Sequence, residues 1–343
     1  MLVQKKSAEN MNAAIKEKRD AQLQSKREEL ATKLKNDGNK MVVEEKKVSV
    51  DKKRSDPSTG KVTITLTYGD QAENHRGMQK IGQLASEGFS NQDLEEAKVK
   101  FEAKGCKCEI IDLNDGLKGT GKTGDKATVL VVRKAMDILD KELSANKLFD
   151  EQFKLKWDTK AFMYGRVVNK HARSNLCYAE EAQEPDYENG KGTVVPFKSI
   201  PLTSLVRKLL GEYLGDKGKD LMCEGNLYYD VSKCGIGFHG DTERRKVVAV
   251  RLGAKLSLHY QWFCNSEPLG ERIKFTLNHG DLYVMSEKAT GFDWKSKKIL
   301  TLRHAAGCEK FLTIKAKKAK SSSKKSKSSK NGKSESGESS SNE

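Results

Sequence analysis

The chain has 343 residues, of which 36% are hydrophobic and 33% charged, and its mean hydropathy is -0.72. This length allows one large domain or two ordinary ones, with enough apolar residues for a core. No apolar stretch approaches the roughly 20 residues that cross a bilayer, so the sequence predicts no membrane span. The opening residues, MLVQKKSAENMNAAIKEKRD, show neither the apolar core of a signal peptide nor the acid-poor composition of a transit peptide.

The net charge of +16 is concentrated at the two ends of the chain. Residues 1–58 carry 15 Lys and Arg against 10 Asp and Glu, and residues 315–343 carry nine Lys against three Glu. Flexible basic ends attract polyanions without reading their sequence. The charge pattern therefore indicates nucleic acid as a partner, although the body between the two ends is only mildly basic.

The number and spacing of the cysteines indicate whether the protein occupies a reducing or an oxidising compartment. The seven cysteines are scattered and contain no CxxC pair; they are Cys106, Cys108, Cys177, Cys223, Cys234, Cys264 and Cys308. An odd, scattered set is typical of reduced thiols. We therefore expect an intracellular protein, and the sequence leaves nucleus and cytoplasm open.

The N-terminal half is predicted to contain two regions. Residues 1–58 form a charged extension, helical or flexible, because Ser7 to Lys35 is dense in good helix formers. Residues 60–150 predict a small α/β unit whose role the sequence does not indicate. Its strands are KVTITLTY (61–68) and CEIIDL (108–113), and its helices cover about 71–84, 91–103 and 127–145.

From about residue 155 the chain consists of short apolar runs separated by Gly, Asn, Asp and Pro, which is typical of a β-sandwich or jelly roll. The predicted strands are FMYGRVV, GTVVPF, NLYYDV, VVAVRLGAKLSLHYQWF, RIKFTL, DLYVM, ILTLR and FLTI. A helix at about 202–213 precedes most of them. The Lys- and Ser-rich tail over 316–343 has too few apolar residues to form a core, so we expect it to be disordered.

A candidate metal site lies within the strand-rich region. His239 and Asp241 form an H-x-D pair, and alternate residues of a strand project to the same face. His304 follows a later predicted strand that can return beside the first, whereas His259 and His279 resemble ordinary strand and turn residues. Two histidines and one carboxylate leave positions open on Fe(II) for a co-substrate and O₂. H-x-D alone is a weak signal, and a pair that caps a turn is the common alternative.

Several further motifs surround this pair in a fixed order. They are KAFMYGRVVNKHARSNLCY, PLTSLVRKLL, the N-x-Y of Asn226 to Tyr228, VVAVRLGA and LNHGDLYVM. In their order and spacing, residues 155–315 resemble the AlkB-like branch of the 2-oxoglutarate- and Fe(II)-dependent dioxygenases. The resemblance implies that the C-terminal domain, over 155–315, is a double-stranded β-helix (jelly roll). With the small α/β unit and the N-terminal charged helix that precede it, the predicted fold class is α+β.

The resemblance also implies an activity and site residues. Fe(II), 2-oxoglutarate and O₂ would hydroxylate or demethylate a modified nucleic acid, with release of succinate and CO₂. Asn226 and Tyr228 would bind 2-oxoglutarate, Glu243 would lie near the substrate, and Tyr164 would belong to a substrate lid.

The sequence departs from the family pattern after the distal histidine. The family holds 2-oxoglutarate with two arginines there, but no Arg follows Arg303. Lys315, eleven residues after His304, is the expected substitute. A lysine in this role is familiar from the prolyl-hydroxylase branch of the same superfamily, and a point charge gives less planar recognition than a guanidinium. Protein hydroxylation is therefore the alternative activity.

Two hypotheses of other classes remain. Residues 116–123, GLKGTGKT, match the G-x-x-x-x-G-K-[ST] pattern of a phosphate-binding loop, although helix-breaking Gly124 and acidic Asp125 follow directly. A P-loop nucleotidase would leave the C-terminal half unexplained. A nucleic-acid-binding protein without enzymatic activity would account for the basic ends and treat the histidines as structural.

Overall fold

The computed structural model describes residues 56–314, all within one compact unit. The predicted helix over 7–35, the Lys/Ser tail over 316–343 and Lys315 lie outside the described residues. The described chain is a mixed α/β fold in which antiparallel β-sheets dominate and helices are few. No helix in this range is both long and apolar enough to span a membrane.

The strands and helices are numbered in chain order. The strands are β1 (Thr63–Gly69), β2 (Gln71–Glu73), β3 (Lys80–Gly82), β4 (Lys107–Asp112), β5 (Thr128–Arg133), β6 (Lys160–Met163), β7 (Arg166–Asn169), β8 (Ser174–Ala179), β9 (Val194–Pro196), β10 (Met222–Tyr228), β11 (Gly235–His239), β12 (Val247–Gly253), β13 (Leu256–Cys264), β14 (Glu267–Leu277), β15 (Leu282–Met285) and β16 (Thr301–Gly307). The α-helices are α1 (Asn91–Ala103), α2 (Ala135–Ile138), α3 (Ala145–Phe153), α4 (Pro201–Leu214), α5 (Glu287–Thr290) and α6 (Glu309–Leu312).

The fold is built mainly from two β-sheets. An eight-stranded sheet has the order β4-β5-β15-β12-β1-β10-β8-β9, and a four-stranded sheet has the order β11-β16-β13-β14. Neighbouring strands run antiparallel except for β8 and β9. Two short hairpins, β2–β3 and β6–β7, stand apart from the two sheets.

Strand β1 lies in the middle of the large sheet, between β10 and β12. Its alternating sequence explains this position, because Ile64, Leu66 and Tyr68 pack into the core beneath the helices, whereas Thr65 and Thr67 line a cavity on the opposite face. Together with β4 and β5, it joins residues 60–150 to the same sheet as strands from the region predicted as a separate domain over 155–315.

Helices α1 and α4 confirm the predictions over 91–103 and 202–213. Helix α1 begins with a capping box in which Ser90 and Asp93 exchange side-chain and backbone hydrogen bonds. Helix α4 begins at Pro201, whose fixed φ suits a first helical position. Both helices therefore start where local sequence chemistry favours a start.

Three predicted elements are wrong. The region 71–84 is not a helix but the β2–β3 hairpin, and the region 127–145 contains β5 and the short α2. Strand β5, TVLVVR, is almost fully buried, so it lacks the apolar–polar alternation that marks a half-exposed strand. FLTI does not form a strand, because its first residues close the one-turn helix α6. Strand β8 is present although the sequence did not indicate it, and β11 ends at His239, so the strand predicted through the H-x-D pair does not reach Asp241.

The inner faces of the two sheets form a second core. It combines residues of the large sheet with residues of the small one, among them Val247, Tyr283, Tyr260 and Leu302. A cavity lies at this level, between strands of both sheets.

Candidate metal centre

His239, Asp241 and His304 come together with ligand atoms all within 4.8 Å of one another. His239 ends β11 and is paired in the ladder with His304 of β16. Their Nε2 atoms lie 3.5 and 3.6 Å, respectively, from the same oxygen, Oδ1 of Asp241. The three residues predicted as ligands therefore converge on one point.

Asp241 reaches this point from a turn, not from the strand itself. Strand β11 ends at His239, and the Asp241 N–H donates to the carbonyl of Thr290 at 3.0 Å. Between them, Gly240 lies so close to the carbonyl of Gly291 that a Cβ would overlap it. The turn is thus fixed by close backbone contact with the end of α5, which replaces the strand alternation expected from the sequence.

The hydrogen bond of His239 and the burial of His304 both suit metal binding. Nδ1 of His239 lies 2.8 Å from the carbonyl of Gly237; the Nδ1–H donates there, which leaves Nε2 with a free lone pair. Burial lowers the pKa of His304 well below its usual range, and the neighbouring His239 and Arg244 lower it further. His304 is therefore neutral near pH 7, as a metal ligand must be.

Arg244 is a buried cation next to the carboxylate of Asp241. It is 3% exposed, and its Nε lies 3.8 Å from Oδ2 of Asp241, the oxygen that does not approach the histidines. Its Nη2 pairs with Glu224 and donates to Oε1 of Glu243 at 2.9 Å. Arg244 thus offsets three carboxylates and favours the orientation in which Oδ1 faces the two imidazoles. Nothing in the local sequence, DTERRK, indicates this role.

The triad opens onto a cavity of about 640 Å³. One wall comes from the large sheet and includes Thr65, Asn226, Tyr228, Arg251 and Tyr283. The β2–β3 hairpin supplies another wall. Two imidazole nitrogens and one carboxylate oxygen at the side of such a cavity could hold a divalent metal ion.

The resemblance-based residues Asn226 and Tyr228 both line this cavity. The amide of Asn226 is already bonded to protein groups, since Oδ1 accepts from Arg173 and Asn175, at 2.7 Å each, and Nδ2 donates to Glu224 at 3.0 Å. Asn226 therefore links three neighbouring side chains of the cavity wall by hydrogen bonds. Tyr228 is buried beside it.

The other predicted residues differ in position. Glu243 lines the cavity beside the triad. Tyr164 is 90% exposed at the tip of the β6–β7 hairpin, is outside the cavity lining, and has a positive φ of 54°. Lys315 lies outside the described residues. Of the residues predicted for co-substrate and substrate, the structure thus brings Asn226, Tyr228 and Glu243 to the cavity.

Arg251 is, with Arg244, a cavity residue that the sequence analysis did not single out. It sits on β12 and is 1% exposed, although every other residue of this strand is apolar or glycine. The signal in the sequence was the single charge inside VVAVRLGA, because an arginine in a fully buried strand needs a specific partner.

Glu73 is a buried carboxyl group in the hairpin wall of the cavity. Burial is the largest cause that raises its pKa to about 7, and the charges of Glu243 and Glu224 add to it. The folded-state pKa is above the unfolded one, so the carboxyl group stabilises the fold below the unfolded pKa and loses this contribution as the pH rises through 7.

We therefore expect the stability of the wild type to fall between about pH 5 and pH 8 more steeply than that of Glu73→Gln. The glutamine Oε1 can still accept the hydrogen bond that the Gly77 N–H donates to Glu73 at 2.8 Å. Thermal unfolding across this pH range measures the difference. Equal slopes for the two proteins would show that Glu73 ionises normally in the fold.

The geometry of residues 116–123 differs from a phosphate-binding loop. Such a loop places phosphates at the N-terminus of the helix that follows it. Here Leu113–Leu117 is a short 3₁₀ helix, and the next regular element is strand β5. The match to the motif is therefore one of letters only.

Comparison with known proteins shows that the chain is similar to a viral protein. The chain is 49% identical over 253 residues to an uncharacterized protein, R156, of Acanthamoeba polyphaga mimivirus, and the alignment covers 74% of this chain and 98% of the viral protein. No protein-family model matches the chain. Because the viral protein is itself uncharacterized, functional inference depends on the geometry of the cavity.

Proposed function

This chain belongs to the same family as the mimivirus protein R156, and we propose that it is an Fe(II)- and 2-oxoglutarate-dependent dioxygenase that acts on modified nucleic acid. The observation that carries the proposal is the His-Asp-His triad at the side of a cavity between two antiparallel sheets. Two histidines and an aspartate with a purely structural role would not need a cavity beside them. An oxygenase, in contrast, needs space for a co-substrate and a substrate next to its metal.

The path of the chain supports the jelly-roll form of this fold. Strands β10, β12 and β15 belong to the large sheet, and β11, β13, β14 and β16 to the small one, so the chain repeatedly crosses between two facing sheets. Strand β1 fills the position between β10 and β12 from the N-terminal side. Both histidines of the triad come from adjacent strands of the small sheet.

The residues of the chain have defined tasks in this proposal. When bound, Fe(II) with 2-oxoglutarate and O₂ supplies the oxidising chemistry that turns a C–H bond into C–OH, and on an N-methyl group the product releases formaldehyde. His239, Asp241 and His304 would hold the metal on one side, so that its other positions face the cavity. Arg244 keeps Asp241 oriented.

Nucleic acid as substrate is supported by the rim of the cavity. Trp294 and Lys295 line it, and Lys297 and Lys298 are exposed immediately beyond. The guanidinium of Arg303 lies 5.0 Å from the centre of the Trp294 ring. Within residues 56–314 none of these four cations forms an ion pair with a carboxylate. Unpaired cations beside an aromatic ring suit single-stranded nucleic acid, whose phosphates are anionic and whose bases stack.

The proposal is tested by succinate release from 2-oxoglutarate with Fe(II), ascorbate and O₂, with and without a methylated single-stranded oligonucleotide. We expect release that rises with the oligonucleotide in the wild type and is lost in His239→Ala. His171→Ala, which removes an exposed histidine elsewhere, is the matched control and should behave as the wild type. Succinate release that the oligonucleotide does not increase would indicate a protein substrate instead of nucleic acid. Equal succinate release by His239→Ala and the wild type would contradict the dioxygenase.

A further inference from the structure

Arg251 is a buried cation with no acidic partner among residues 56–314. Its Nη1 donates to Oγ1 of Thr65 at 2.7 Å, and its buried Nε has no hydrogen-bond partner. No ion pair among the described residues includes Arg251. The cost of removing a guanidinium from water is therefore offset by a single neutral hydroxyl.

Arg244 provides an internal comparison in the same cavity. It is buried to a similar degree, 3% exposed against 1% for Arg251, and it contacts the carboxylates of Glu224, Glu243 and Asp241. Within the described part of the chain, one buried arginine thus has acidic partners and the other has none. Because both line the cavity, an anion that enters it can meet Arg251.

The metal centre and Arg251 together specify the kind of anion that would bridge them. A divalent metal on two neutral histidines and one carboxylate keeps one net positive charge, and Arg251 adds a second. A small dianion neutralises both, with one anionic end at the metal and the other at the guanidinium. Thr65, directly opposite Arg251 in the ladder, and Tyr228 add hydroxyl groups on the same wall.

We propose that Arg251 binds the distal carboxylate of a dicarboxylic 2-oxo acid whose oxo-carboxylate end lies at the metal triad. This inference rests on the proposed function, and it assigns to β12 the role that the sequence placed on Lys315. The planar guanidinium forms two parallel hydrogen bonds to a carboxylate, which the ammonium of a lysine does not. The cation comes from inside the large sheet and not from the segment after the distal histidine.

The test is calorimetric binding of two ligands to the Mn(II)-loaded protein, which avoids turnover. The ligands are 2-oxoglutarate and 2-oxopentanoate, which has a methyl group in place of the distal carboxylate. We expect the wild type to prefer 2-oxoglutarate by about 10- to 100-fold, the range for a charge-assisted contact. Arg251→Met should remove this preference, and Arg251→Lys should keep part of it. Arg272→Met, which changes an exposed arginine on β14, should leave it unchanged.

Stability of the metal-free protein gives a second measurement. Because no described residue is an acidic partner of Arg251, Arg251→Met should unfold at a temperature equal to or above that of the wild type, while stabilisation by 2-oxoglutarate is lost. A wild type that binds both acids equally, or an Arg251→Met that keeps the preference, would overturn the assignment. Should Arg251→Met fail to fold, the wild-type preference and Arg251→Lys still decide. Failure of the wild type to bind Mn(II) at all would instead refute the proposed function.

Discussion

Replacing Asp241 with alanine is expected to weaken binding of a divalent metal ion by more than about 100-fold, beyond the loss typical of outer-sphere changes. The Oδ1 atom of Asp241 is the point shared by both histidines, at 3.5 and 3.6 Å, so its removal leaves two neutral nitrogens and no anionic ligand. Isothermal titration with Mn(II) or anaerobic Fe(II) measures the change.

Asp216→Ala serves as the matched control, because Asp216 is an exposed aspartate that pairs with Lys219 at the surface. It should bind metal as the wild type does. If Asp241→Ala retained wild-type affinity, the three residues would be a structural cluster, and the cavity beside them would need a different explanation.

Arg244→Met is expected to destabilise the fold by about 3–5 kcal/mol, because it leaves buried carboxylates without a counter-charge. Glu224, 7% exposed, loses its ionic partner, and Asp241 loses the cation beside its Oδ2. Metal affinity should fall by about 10- to 100-fold in those molecules that remain folded. Urea unfolding and metal titration of the same preparation measure both effects.

The neighbouring arginine offers a control for this prediction. Arg245 pairs with Glu287 at a half-exposed position, so Arg245→Met should cost only about 1 kcal/mol or less. Adding Glu224→Gln to Arg244→Met should recover part of the lost stability, since it removes one of the stranded charges. A double variant no more stable than Arg244→Met would show that Glu224 is not the group that Arg244 compensates.

Much of the C-terminal half can be predicted from sequence because its strands are short apolar runs between turn residues. Strand β5 cannot, because a fully buried strand and a buried helix share the same continuous apolar pattern. The pairing of β1 with β10 and β12 is also invisible locally, since it joins residues more than 150 positions apart. Local pattern thus identifies strands more readily than it identifies their neighbours.

The residues of the candidate site also fall into two groups, those that local sequence identifies and those that depend on the tertiary fold. His239 and Asp241 follow from a short spacing, and His304 follows from its position at a later strand, so sequence brings the three into consideration. The contribution of Arg251 depends on which charges the tertiary fold leaves without partners. Whether a charge has a partner is decided only when the cavity is assembled. The lone arginine in VVAVRLGA therefore identifies a candidate residue but not its role.

The absorption spectrum of the anaerobic Fe(II)-loaded protein, titrated with 2-oxoglutarate, tests most directly whether metal and oxo acid share this cavity. Chelation of Fe(II) by a 2-oxo acid produces a visible charge-transfer band without turnover. We predict that the wild type gives this band and that His304→Ala does not. A wild type that binds Fe(II) but shows no band with saturating 2-oxoglutarate would contradict the proposed dioxygenase.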